Sequence, residues 1–186
     1  FKTTFLRCLV NDLEHNKGVI KWSENASIGY CPQDSSDEFD NDYTLMDWMS
    51  QWRQPKHNDL MVRAMLGRLL FTEDDANKKA RNCSGGEKNR LLLAKLFARP
   101  SNLLILDEPT NDLDVETLEL LEELLTDYPG TLLLVSHDRR FIDNTVTGCW
   151  LFEGDGRISD YVGGYADMMA TRALQSQQQA AKAATK

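Results

Sequence analysis

An α/β fold, with a mostly parallel sheet flanked by helices, is predicted by three observations. Continuous apolar runs with the length of buried strands, Leu103–Leu106 and Leu132–Val135, are separated by segments of helical period. Two carboxylates, Asp107 and Glu108, directly follow the first run, at the strand end where open α/β sheets bind their ligands. A glycine pair, Gly85 and Gly86, follows Ser84 at the start of a helical pattern. The length of 186 residues is enough for one domain with a real core and too short for two ordinary ones.

The elements follow in order. A helix-like segment runs from Thr3 to Leu13 and breaks at Asn16-Lys17-Gly18. Two short strand-like runs come next, Val19–Trp22 and Ser27–Cys31, the second stopping before Pro32. The stretch Asp34 to Asp42 is acidic and aperiodic, and reads as a loop. Leu45, Trp48, Met49 and Trp52 then fall at helical spacing, with Pro55 as the stop. Leu60, Met61, Met65, Leu66, Leu69 and Leu70 repeat that period, as the packing face of a small helical subdomain over about 44–98. A helix after Gly86 runs to about Ala98, with Pro100 beyond it. Then come a strand at Leu103–Leu106, a helix at Val115–Tyr128 and a Pro129-Gly130 stop. A strand at Thr131–Val135, a short helix near Arg139–Asn144 and strands at Cys149–Phe152 and Ile158–Tyr161 follow. The closing LQSQQQAAKAATK has no apolar stripe, so the expected domain covers 1–165 and a tail or linker start covers 166–186.

Composition narrows the class. Hydrophobic content of 41% with 27% charged residues reads as a soluble globular chain. No apolar run approaches the roughly 20 residues of a membrane helix, so direct membrane insertion is not expected and a membrane role needs a partner. FKTTFLR lacks the features of a signal peptide, and the expected location is cytoplasmic. A net charge of −8 argues against a broad nucleic-acid surface. Lys78, Lys79 and Arg81 form a small basic group, read as a solvated face or a local partner contact. Cys8, Cys31, Cys83 and Cys149 are scattered without a CxxC pair, as small hydrophobes in a reducing compartment would be.

The chemistry gathers in three segments. Adjacent carboxylates past a buried strand are costly unless they serve a cation or a proton transfer. In phosphoryl transfer the first such Asp helps hold Mg²⁺ and a neighbouring group positions the attacking water, which gives Asp107 the metal and Glu108 the water. Ser84 can cap the helix it opens, with Glu87 completing a capping-box spacing. Glycines there expose backbone N–H groups at a positive helix end, which suits phosphate. His137 comes just after the strand ending at Val135, and a histidine donor at that sheet edge can sense a γ-phosphate.

SGGE, then LLILDEPTNDLD, then VSHDRRF, in this order, resembles an ATP-binding-cassette (ABC) domain, a P-loop NTPase with a helical subdomain. The resemblance extends to about Tyr165. It implies that Ser84, Gly85 and Gly86 are the signature loop, Gln33 the Q-loop glutamine reaching Mg²⁺ and the attacking water, and Asp107 and Glu108 the Walker B and catalytic carboxylates. It further implies that Asn111 to Asp114 are the D-loop and His137 the switch histidine. DEPTN-x-LD with SHDRRF is most similar to the ABC-F class, paired cassettes acting on ribosomes. The half from Asn82 onward looks like a Uup-type second cassette, while WSENASIGYCPQD looks closer to another ABC-F subgroup. ATP and Mg²⁺ are the implied cofactors, and a second cassette and the ribosome the implied partners.

Two departures are visible. Of the phosphate loop G-x-x-x-x-G-K-[ST], only Lys2, Thr3 and Thr4 match, and Phe1 stands where the last glycine is expected. By resemblance Lys2, Thr3 and Thr4 bind phosphate and Thr3 also the metal, in a chain from which the first strand and most of that loop are missing. Cys83 replaces the leucine usual before SGGE, and Asp112 the histidine common in ABC-F D-loops. Two rival functions share these residues: the ATPase subunit of a membrane transporter, and a non-catalytic interaction module.

Overall fold

The computed structural model describes residues 1–184 and divides into two compact units. The first comprises Phe1 and Thr3–Val135; the second takes Lys2 and the chain from Ser136 onward.

The first unit is built on a three-stranded parallel sheet, order β1-β2-β3, from β1 (Ile28–Cys31), β2 (Leu103–Asp107) and β3 (Thr131–Val135). Ile28 stands opposite Leu103, and Asp107 opposite Val135. The middle strand is buried at every residue, which explains its unbroken apolar sequence. α1 (Lys2–Leu9) lays Leu6 against Leu103 and Ile105, with Ile28, Tyr30, Leu133 and Val135 closing that core. α1 is shorter than the Thr3–Leu13 helix expected. Asn11 enters the left-handed region at φ 60°, and the Asp12 and Leu13 amides turn back onto the Arg7 carbonyl.

On the other side lie α2 (Leu45–Ser50), α3 (Asp59–Arg68) and α4 (Gly85–Ala98), which pack on one another, with α4 also against β1. Leu45, Trp48 and Met49 of α2 are fully buried, and Trp48 stacks on Phe39 at 5.1 Å between ring centroids. Phe39 ends a 3₁₀ turn, Ser36–Phe39, inside the stretch expected to be loop. The stripe expected on α3 is corrected. Val62, Leu66 and Leu69 face inward, while Leu60 is 73% exposed and Met61 and Leu70 also face water. The expected strand Val19–Trp22 is absent: Val19 is 90% exposed, and Trp22 gives its indole N–H to the Leu9 carbonyl at 3.0 Å.

α5 (Val115–Thr126) links β2 to β3, completing a strand–helix–strand crossover, and Asp114 caps it. In the second unit, α6 (Arg139–Thr145) precedes an antiparallel hairpin, β4 (Gly148–Phe152) with β5 (Ile158–Val162). These two strands form a sheet of their own, where the sequence suggests a continuation of the parallel one. α7 (Tyr165–Ala184) packs on α6 and β5. The Asp143 carboxylate accepts from the Ala166 amide at 3.0 Å, and Arg172 pairs with Glu153 at 3.1 Å. The stretch read as tail or linker start is therefore helical through Ala184; Thr185 and Lys186 lie outside the described residues.

Candidate functional site

The C-terminal ends of β1 and β2 open into a cleft of about 590 Å³. Of the residues singled out from sequence, Thr3, Gln33, Asp107 and Glu108 line it together, with Asn111 and Asp112 of the following turn. Each arrives by its own element. Thr3 comes from the first turn of α1, Gln33 from the turn after β1 and Asp107 from the last position of β2. Asp107 is 1% exposed, and neither carboxylate oxygen has a hydrogen-bond partner.

Glu108 begins a tight turn. Its amide donates to the Val135 carbonyl at 2.7 Å, and its φ of 51° lies in the left-handed region that favours glycine. The Asn111 amide donates back to the Glu108 carbonyl at 3.3 Å, and Asp112 is again left-handed at φ 58°.

The Ser84-Gly85-Gly86 segment begins α4 as a complete capping box. Ser84 accepts from the Glu87 amide at 3.3 Å, and Glu87 accepts from the Ser84 amide at 2.7 Å. Lys78 grips both oxygens of the Glu87 carboxylate, at 2.7 and 2.8 Å. Ser84 and Gly85 are exposed and do not line the cleft. Gly86 instead touches the D-loop: a Cβ there would meet the Asp112 carbonyl at 3.0 Å. Thr4 is exposed and also outside the cleft lining. Lys2 and His137 belong to the second unit. His137 is exposed, between Ser136 and Asp138, whose carboxylate caps α6 through the Phe141 amide at 3.0 Å.

Among the lining residues that sequence reasoning missed are Arg7, Asp12 and Asn89. Arg7 pairs with Asp12 at 2.7 Å across the end of α1, a contact that depends on the left-handed turn at Asn11. Asn89 was open to discovery, because it lies three residues after Gly86 and therefore on the same helix face.

A cleft at the strand ends of a parallel sheet, holding a buried carboxylate, lies where open α/β sheets bind their ligands. The family profile described as ABC transporter matches residues 2–111, so the chain belongs to the ABC family and is an ATP-binding cassette. Uup, an ATP-binding protein of Escherichia coli K12, is 53% identical over 169 residues, 89% of this chain and 26% of Uup. YbiT of E. coli O157:H7 is 47% identical over 174 residues, 94% of this chain and 33% of YbiT. The chain thus spans a third or less of the length of these two relatives, which are of the ABC-F type. Among solved structures, an archaeal ribosome recycling factor, aABCE1, in complex with the ribosomal stalk protein aP1, superposes with a TM-score of 0.73. It is 27% identical, and the match covers 94% of this chain and 34% of that one.

Proposed function

We propose that this cassette binds ATP with Mg²⁺ in the cleft beside Asp107 and, in the intact protein, hydrolyses it as one of a pair of cassettes in an ABC-F-type protein acting on the ribosome. The Asp107 carboxylate carries this reading. Burying an ionised carboxylate without partners costs several kcal/mol, and a divalent cation removes that cost. The neighbouring donors, the Thr3 hydroxyl and the Gln33 amide oxygen, are hard oxygen ligands of the kind Mg²⁺ prefers. Mg²⁺ takes one or two protein carboxylates and completes its shell with phosphate oxygens and water, so a single buried carboxylate beside neutral oxygens suits it.

Asp107, Thr3 and Gln33 would hold the metal, and Thr3 would also meet the phosphates. Bound MgATP supplies the electrophilic phosphorus and neutralises the charge that develops on it. Glu108 accepts a hydrogen bond from the attacking water and takes its proton, help worth roughly 10²–10⁴-fold. Pairing is supported by the start of α4, where Ser84 and Gly85 are exposed outside the cleft lining, at a helix N-terminus of the kind that receives phosphate. The ribosomal role is supported by the relatives of ABC-F type and by the ribosome recycling factor among the structural neighbours. No helix among the described residues is long and apolar enough to cross a membrane. The test is Glu108→Gln in the intact protein: ATP binding persists and turnover falls by roughly 10² or more, and undiminished turnover sinks the assignment.

A further inference from the structure

We infer that Asn89 is a positioning residue for Glu108, holding the turn that carries it through the Asn111 carbonyl; the inference rests on the reading of Glu108 as the water-orienting group. The turn from Glu108 to Asp112 is left-handed at both ends, at φ 51° and 58°. Its internal bonds are long: Asn111 amide to Glu108 carbonyl at 3.3 Å, and Leu113 amide to Thr110 carbonyl at 3.4 Å. Backbone of this kind costs of order 1–3 kcal/mol and persists only where the surroundings impose it.

The surroundings here are the first two turns of α4. Asn89 Nδ2 donates to the Asn111 carbonyl at 2.8 Å, shorter than either bond within the turn. A carbonyl can only accept, so this contact fixes which end of the Asn89 amide points inward. Gly86, one helical turn earlier, lets α4 approach the Asp112 carbonyl so closely that an added Cβ would lie 3.0 Å from it. Arg90 reaches Asp114 Oδ2 at 3.4 Å and Thr117 Oγ1 at 3.3 Å just beyond the turn. Gly86, Asn89 and Arg90 thus meet Asp112, Asn111 and Asp114, and Asn89 gives a short bond to the far end of the strained segment, whose near end is held by the Glu108 amide on the Val135 carbonyl at 2.7 Å. Asn89 and Asn111 both line the cleft that holds Glu108. A carboxylate that orients water must be held within about 0.5 Å, and a bond two residues along the same turn supplies such restraint.

Asn89→Asp tests this in the intact protein, since it keeps the side-chain shape and removes the donor. Asn89→Ala, which adds no charge, is measured beside it, and Asn89→Gln returns an amide. In hydrogen–deuterium exchange without nucleotide, amides over 108–113 should exchange roughly fivefold faster in the Asp and Ala variants, the equivalent of one hydrogen bond. Exchange in α5 should stay unchanged. ATP turnover should show a lower kcat at unchanged KM, partly recovered by Asn89→Gln. Unchanged exchange over 108–113 in both variants overturns the inference, as does a loosened turn with unaltered kcat. Glu108→Gln, run in parallel, separates these outcomes from failure of the underlying assignment.

Discussion

Glu87 joins a helix cap to an ion pair. Its carboxylate takes the Ser84 amide and the Lys78 ammonium together, and its side chain is 18% exposed. Burial pushes this carboxyl up, but the bonds from Lys78 and Ser84 outweigh that and hold it below the ordinary value of 4.5. The unfolded chain lacks those bonds, so the folded pKa lies below the unfolded one. The stability they give is complete above the unfolded value and is lost as pH falls through the folded value. Glu87→Gln should therefore be less stable than the wild type at pH 7, with the gap closing below about pH 4.5, as denaturant midpoints at the two pH values will reveal. Equal gaps at both would refute the ionic role. The capping box itself was legible, because its two members sit three residues apart. Lys78 was not, since its approach depends on the turns between it and α4. Arg7 and Asp12 were hidden for a similar reason: the left-handed turn at Asn11 that brings them together has no glycine to announce it.

At the scale of elements, the helical layer depends on aromatic packing around α2. Trp48 is 1% exposed, stacks on Phe39, meets Trp52 edge-on at 6.1 Å and donates its indole N–H to the Glu38 carbonyl at 3.1 Å. Trp48→Ala should cost about 3–5 kcal/mol in chemical denaturation. A loss under about 1 kcal/mol would mean that this layer is not packed as described. Periodicity found α4 nearly to the residue and the start of α2, but α2 stops at Ser50, short of the expected Trp52, and the stripe on α3 was misjudged. Apolar residues fill most of that helix, so several faces fit the period and tertiary contact chooses Val62 over Leu60. Val19–Trp22 failed differently. Its composition favours a strand, but no neighbouring strand pairs with it among the described residues, and β propensity means little without a partner.

For the molecule as a whole, the chain order of the motifs was more informative than any one of them. The parallel pairing of β2 with β3 was implied by two apolar runs separated by a helix, whereas the register that sets Asp107 opposite Val135 was not. The separate hairpin was not implied, because an apolar strand reads alike in either sheet. The acidic balance, −8 overall, sets the last prediction. If the intact protein acts on ribosomes, this cassette adds local contacts rather than a general basic surface. Glu108→Gln protein should co-sediment with ribosomes in the presence of ATP and release when ADP replaces it. Sedimentation indifferent to nucleotide would separate ATP use from the ribosome. One backbone angle also bears on how this molecule can change. At φ 51°, position 108 would be relaxed by glycine or asparagine, neither of which can take a proton from water. Under the proposed role of Glu108, a glutamate in that strained turn trades robustness for turnover.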